Sequence, residues 1–309
     1  LFKVFDAHCD VLMKLLENPS INFENDPNLA VSLEKLKQGN SKMQCFAIYI
    51  DENIHRMIKF DAALQCVTHF YEKVATSQNN VKVILTKEDE LSLKENEIGA
   101  ILTLEGCDAL LGDINRLKIL HRLGVRSVGL VWNYANEVAD GILEGRNGGL
   151  TNFGRSVVHY LNEHNMWCDL SHCSEAAFWD AFEQSKYPTA THSNAKAICS
   201  HPRNLNDEQL HAMFNRGAIV GINFNPPFLV DEGVATISDI IKHIDYMCSL
   251  GGEKYIAMGS DFDGIDRVPV NLEHVGLYPN LTNELLKFYT ETQVKGFLYD
   301  NYASYIHFK

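Results

Sequence analysis

Six residues of metal-ligating type stand out by their position along the chain. His8 and Asp10 lie in Asp6-Ala7-His8-Cys9-Asp10, and Glu105 ends the apolar run Ala100-Ile101-Leu102-Thr103-Leu104. His172 follows Trp167-Cys168-Asp169-Leu170-Ser171, and His192 follows Pro188-Thr189-Ala190-Thr191. Asp261 stands in Met258-Gly259-Ser260-Asp261-Phe262-Asp263-Gly264. In an extended segment residues two apart face the same side, so His8 and Asp10 can grip one cation while Cys9 turns away. Imidazole nitrogen and carboxylate oxygen suit Zn²⁺. A carboxylate at the end of a buried strand is costly unless paired or metal-bound, and Glu105 is the candidate to bridge two metals. Many two-metal barrels bridge with a carbamylated lysine instead, but no lysine ends a candidate strand here.

Each of these residues alone is more often structural: a hydrogen-bonded His–Asp pair, a salt-bridged strand end, a satisfied histidine. Together they form an inventory for two metals about 3.5–4 Å apart, as in metal-assisted hydrolases. Asp261 is placed to take a proton from an attacking water and return it to a leaving amine. Alternation puts Asp263 on the same side, although an Asp before Gly264 also suits a turn. Arg203, in His201-Pro202-Arg203-Asn204, offers a planar fork for a carboxylate, against the commoner case of a solvated loop arginine. Most other histidines (His55, His69, His121, His159, His164, His211, His243) fall in helical segments and read as surface residues.

The elements that must position these groups are short β-like runs separated by segments of helical period. Strands are expected at Lys3–His8, Gln44–Ile50, Ala100–Glu105, Ser127–Trp132, Met166–Ser171, Thr189–His192, Ala218–Asn223 and Tyr255–Gly259. Helices are expected at Asp113–Leu123, Asn152–His164, Ser174–Gln184, Asp207–Asn215 and Ser238–Leu250, with a closing helix over Thr282–Tyr299. Glu17–Gly39 reads as an excursion and Pro226–Gly233 as a loop over the barrel mouth. Strands alternating with helices favour a parallel sheet, and eight of them favour a closed (β/α)₈ TIM-type barrel over residues 1–309 as one catalytic domain. Almost every candidate ligand falls at the carboxyl end of a strand, and in a barrel those ends share one face.

The chain has 309 residues, 46% of them hydrophobic, and a net charge of −13, which argues against nucleic acid or an anionic membrane as partner. Eight scattered cysteines without a Cys-x-x-Cys pair read as reduced, mostly buried thiols. No apolar run is long enough to span a bilayer and no basic-then-apolar leader is evident, so a cytoplasmic location is the default. The chain starts at Leu1 rather than at a methionine, which leaves room for a trimmed residue or leader.

From Phe5 to about Gly264 the chain resembles the membrane dipeptidase family, in particular its bacterial members. The motifs are Asp6-Ala7-His8-Cys9-Asp10, Leu104-Glu105-Gly106, Ala139-Asp140-Gly141, Gly149-Leu150-Thr151-Asn152-Phe153-Gly154 and Asp169-Leu170-Ser171-His172. They continue with His192-Ser193-Asn194-Ala195, Pro202-Arg203-Asn204-Leu205 and Gly259-Ser260-Asp261-Phe262-Asp263-Gly264. The resemblance implies a distorted barrel with two Zn²⁺ ions, one held by His8 and Asp10, the other by His172 and His192, with Glu105 between them. It further implies hydrolysis of dipeptides by a metal-activated hydroxide, Asp261 as proton shuttle and Arg203 as receptor for the terminal carboxylate. Family members often tolerate a D-residue at the C-terminal position and commonly form homodimers.

One position departs from the mammalian pattern. Where those enzymes carry a histidine that contacts the reacting carbonyl, this chain has Trp132, followed by Asn133. The candidates for holding the oxyanion are then zinc, Asn133 and the Trp132 indole N–H. Two other readings stand beside the dipeptidase: a related binuclear amidohydrolase acting on another amide or a lactone, and a catalytically silent binding homologue. Arg203 separates the first of these, because a substrate without a carboxylate has no use for it.

Overall fold

A computed structural model describes residues 2–309. Nine parallel strands run through it: β1 Val4–Asp6, β2 Ser41–Tyr49, β3 Val81–Val83, β4 Ile98–Glu105, β5 Val125–Gly129, β6 Trp167–Asp169, β7 Pro188–Thr189, β8 Val220–Ile222 and β9 Ile256–Met258. Eight of them pair in the order β7-β6-β5-β4-β2-β1-β9-β8. A parallel bridge between Ala190 and Val220 joins the two ends of that row and closes the barrel. β2 and β4 are its long staves, in continuous register from Met43–Gly99 to Tyr49–Glu105 and buried along their whole length. Strands covered on both faces read as unbroken apolar runs, and Ala100–Leu104 was legible for that reason.

β3 lies outside the expected set. β2 covers one edge of β4, and the other edge is shared: Ile98–Ala100 against β3, Leu102–Glu105 against β5. The late strands are shorter than their apolar patterns suggested, with two or three residues each in β6 to β9. The backbone leaves the extended region just past their ends, and His172 (φ 68°) and Asp261 (φ 66°) are left-handed. Non-glycine residues pay strain to adopt that conformation, and such strain concentrates at functional sites.

Helix starts follow local capping chemistry. Thr151, Ser174 and Asn206 accept from the backbone N–H three residues on, at Gly154, Ala177 and Gln209 respectively. The helices they start (Asn152–Glu163, Glu175–Gln184, Asp207–Arg216) match expectation within two residues. The closing helix does not. It splits into Tyr278–Leu285 and Glu291–Lys295, because Thr290 and Gln293 form a capping box that starts a new helix mid-segment. The chain then turns beneath the barrel, where Tyr302, Ile306 and Phe308 join Phe5, Met43, Ile101 and Trp167 in one buried cluster. Trp167 stacks on Tyr302 at 4.7 Å and donates its indole N–H to the Tyr305 carbonyl.

The Glu17–Gly39 excursion contains a helix at Leu33–Gln38, and the mouth segment after β8 opens with a short helix, Pro226–Leu229. His243 overturns the surface reading of the helical histidines: it is fully buried, accepts from the Ala195 N–H at 3.1 Å and reaches the Leu229 carbonyl at 3.1 Å. All eight cysteines are unpaired and seven are buried. Among the described residues, no helix is long and apolar enough to cross a membrane.

Candidate metal centre and active site

The carboxyl ends of β1, β4, β6, β7 and β9 bring the expected ligands together. His8 Nε2 lies 3.4 Å from Asp10 Oδ2 and 3.4 Å from Glu105 Oε2. The other Glu105 oxygen, Oε1, lies 3.0 Å from His172 Nε2 and 3.5 Å from His192 Nε2. The two oxygens of Glu105 therefore face two different ligand pairs. His8–Asp10–Glu105 and Glu105–His172–His192 each gather donor atoms within 4.8 Å of one another, and so does His8–His192–Asp261.

Hydrogen bonds fix which imidazole nitrogen faces inward. His172 Nδ1 lies 3.0 Å from Asn133 Oδ1, an atom that only accepts, so Nδ1 carries the proton and Nε2 presents a lone pair. Thr191 Oγ1 gives its proton to the Asp169 carboxylate and accepts at 2.8 Å from His192 Nδ1. His192 Nε2 is therefore a lone pair as well. The two Nε2 atoms stand 2.9 Å apart with no proton between them, an approach that a shared cation resolves. His8 Nε2 and Asp10 Oδ1 are buried without a hydrogen-bond partner. Nitrogen and carboxylate donors, orphaned and facing one another, fit a pair of divalent metals such as zinc.

The electrostatics describe the same deficit of positive charge. Burial, then the Glu105 charge, pushes the Asp10 carboxyl well above the usual range. Burial raises Asp261 too, partly countered by His8. Burial, then the Arg203 charge, takes His172 down to about 3, and burial holds His192 well below its ordinary value. Burial opposes ionisation of Glu105, but the His8 charge first, and then the close approach of the His172, His192 and His8 rings, hold it well below the usual carboxylate range.

Asp261 sits at the edge of this cluster, with Oδ1 3.8 Å from His8 Nε2 and Oδ2 accepting from Asn223 Nδ2 at 2.9 Å. Asp263 does not share its side. Its left-handed backbone (φ 68°) breaks the alternation, and its carboxylate accepts from the Ala30 and Val31 N–H groups at 2.7 and 2.9 Å. It anchors the Glu17–Gly39 excursion. Arg203 is buried rather than solvated: Nη2 donates to the His192 carbonyl at 3.2 Å, the guanidinium lies 5.6 Å from the Phe228 ring centre, and Nε has no partner.

Residues 1–304 match the family model described as membrane dipeptidase (peptidase family M19). The chain belongs to the membrane dipeptidase family. It is 37% identical over 224 residues to a Klebsiella pneumoniae protein described as uncharacterized, in the pqqA 5′ region, covering 69% of this chain and 82% of that one. It is 37% identical over 194 residues to the dipeptidase aclJ of Aspergillus oryzae, covering 61% and 46% of the two chains. A metallo peptidase from Rhodobacter sphaeroides, solved with a phosphinate mimic of the dipeptide L-Ala-D-Ala, has a similar structure: TM-score 0.92, 27% identity, 98% of each chain covered.

In this membrane dipeptidase family member, Trp132 lies 6.1 Å from the His172 ring and 5.2 Å from Tyr49 between ring centres. The Asn133 side-chain oxygen is committed to the His172 ring. Other supporting residues escaped the sequence reading. Asp6, the last residue of β1, accepts from the His8 and Ser260 N–H groups and from the Tyr278 hydroxyl. Asp169, the last residue of β6, accepts from the Ser171 and Thr191 N–H groups and the Thr191 hydroxyl. A signal existed: in both cases an Asp precedes a candidate ligand histidine by two or three residues. Asn223 carried none beyond its place at the end of an expected strand. Asp140 of the Ala139-Asp140-Gly141 motif ties its own loop, accepting from Arg146 and from the Gly148 N–H.

Proposed function

We propose that the chain is a two-zinc dipeptidase that hydrolyses the peptide bond of a free dipeptide. Its class as a metallo-dipeptidase, a hydrolase of peptide bonds, follows from its family and from its relatives. The observation that carries the finer reading is the division of the Glu105 oxygens between His8 with Asp10 and His172 with His192. Ions bound there would acidify a water and polarise the scissile carbonyl. Every other part of the chemistry falls to side chains. Asn223 pins one oxygen of Asp261, so the other faces the reacting atoms, where it takes the proton of the attacking water and passes it to the leaving amine. Arg203, immobilised by the His192 carbonyl and Phe228, has donor capacity left to grip a terminal carboxylate. That clamp also favours a dipeptide over a cyclic amide or lactone.

The test is a panel of dipeptides, L-D pairs included, run on zinc-loaded protein against the matching C-terminal amides. L-D pairs belong in it because the Rhodobacter relative was solved with a mimic of L-Ala-D-Ala. Arg203→Ala should lose about 10²–10³-fold in kcat/KM on the acid and little on the amide, since breaking a buried charged pair costs about 2–5 kcal/mol. Equal losses on both would make Arg203 structural, and equal wild-type rates on acid and amide would remove the dipeptidase reading. Elemental analysis showing fewer than two metals would remove the binuclear one. Sedimentation of the same preparation tests the homodimer.

A further inference from the structure

Beside the metal centre a cavity of about 220 Å³ opens onto Glu105. Its walls are aromatic, from Tyr49, Trp132 and Tyr134, and its charged residues are Glu52, Lys59 and Asp108. Tyr49 ends β2, Glu105 ends β4 and Trp132 follows β5, whereas Arg203 hangs from the segment after β7, three strands further round the ring from β4. The ligand cluster touches both: its Glu105 lines the cavity, and the carbonyl of its His192 meets Arg203. A dipeptide with its carboxylate on Arg203 and its scissile carbonyl at the ligand cluster therefore extends its N-terminal residue into this cavity.

The charges there are unusual. The Lys59 side chain is only 9% exposed, yet its ammonium stands 3.8 Å from Asp108 Oδ1, beyond hydrogen-bond length. Asp108 Oδ2 takes a long bond, 3.3 Å, from Asn136 Nδ2. Glu52 lies at the exposed rim. Two carboxylates against one ammonium leave the lining with a surplus negative charge, apart from Glu105, whose charge belongs to the ligand cluster. Aromatic faces with an acidic surplus are the chemistry that receives a cation, and a guanidinium above all, through stacking and charge together.

We infer, on the dipeptidase reading above, that this cavity binds the N-terminal residue of the substrate and prefers a basic side chain, arginine or lysine, over an acidic one. Lys59 limits that preference by offsetting one of the two carboxylates. Glu52 and Asp108 supply it, and Tyr49 and Trp132, inclined at 55° to each other, offer ring faces against which a guanidinium lies.

The experiment measures kcat/KM for Arg-Ala, Leu-Ala and Glu-Ala on zinc-loaded wild type, Glu52→Gln and Lys59→Met, with thermal melts to confirm folding. The Arg-Ala to Glu-Ala ratio should exceed one in wild type. It should fall about two- to fivefold in Glu52→Gln and rise by a similar factor in Lys59→Met, the size of one partly screened ion pair. Glu52 is exposed, so its substitution gives a reading even if Lys59→Met does not fold. A ratio unmoved by either change, with dipeptides still cleaved, would overturn the assignment of the cavity. So would a preference for Glu-Ala that disappears in Lys59→Met, which would make the lysine an anion receptor. Failure to cleave any dipeptide would instead overturn the dipeptidase reading itself.

Discussion

Thr191→Val removes one hydroxyl from the site and almost no volume. That hydroxyl links His192 to Asp169: it accepts the imidazole Nδ1–H at 2.8 Å and donates to the carboxylate. All three residues are buried, so no solvent replaces the lost partner. In the valine variant His192 either keeps its proton on an unsatisfied Nδ1 or moves it to Nε2, which then cannot act as a ligand. A buried donor without a partner costs about 1–3 kcal/mol, or roughly 5- to 150-fold in an equilibrium constant. This agrees with the roughly 10–100-fold loss of affinity typical when a partner of a ligating histidine is removed. The effect should fall on one site. Zinc titration against a chromophoric chelator should show the His172/His192 step weakened by about 10–100-fold and the His8/Asp10 step changed far less. The absorption spectrum of cobalt-loaded protein should change correspondingly, and Thr191→Ser should restore both. Unchanged affinity in the valine variant, or an equal loss at both sites, would refute the idea that the Thr191–Asp169 pair orients His192.

Two further outcomes follow from the geometry. Asp261→Asn should retain both metals and lose about 10²–10⁴-fold in kcat, because the amide keeps its contact with Asn223 but cannot carry the proton; near-normal turnover with full metal content would exclude Asp261 as the shuttle. Burial takes His243 down to about 4, so the fold holds it neutral while the unfolded chain takes up a proton near pH 6.5. Its contribution is present above pH 6.5 and is lost as pH falls from there to about 4, by up to about 3 kcal/mol. Denaturant unfolding of wild type and His243→Asn at pH 7 and 4.5 reads this as a difference in pH dependence, and identical dependence in both would exclude it.

The barrel was legible because parallel strands covered on both faces leave unbroken apolar runs, and the clustering of the candidate ligands because they follow those runs directly. β3 was not, since Val81-Lys82-Val83 is too short and too polar to stand out. Asp263 was misread for a backbone reason: two left-handed residues, Asp261 and Asp263, cancel the alternation that an extended chain would have shown. His243 was misread because its partners, the Ala195 N–H and the Leu229 carbonyl, belong to loops distant in sequence. The cavity beside Glu105 drew on segments whose lysine and carboxylates, read singly, look like ordinary surface charges.

Asp6 and Asp169 explain how such a site can be held in shape. Each is the last residue of its strand, and each accepts a backbone N–H from two residues further on and another from the end of the neighbouring strand. Asp6 thereby joins the ends of β1 and β9, which carry His8 and Asp261. Asp169 joins the ends of β6 and β7, which carry His172 and His192. The left-handed turns at His172 and Asp261 lie within or beside these joints. Charge-assisted bonds to a buried carboxylate are stronger than neutral ones and can offset the strain of those turns. Glu105, at the end of the long stave β4, then stands between the two stitched pairs and needs no joint of its own. Between these joints two imidazole lone pairs stand 2.9 Å apart and His8 Nε2 is unpartnered. On the two-zinc reading proposed above, groups fixed in advance would spend little on reorganisation when metal binds, and the same joints would keep Asp261 and Arg203 at set distances from the bond to be cut.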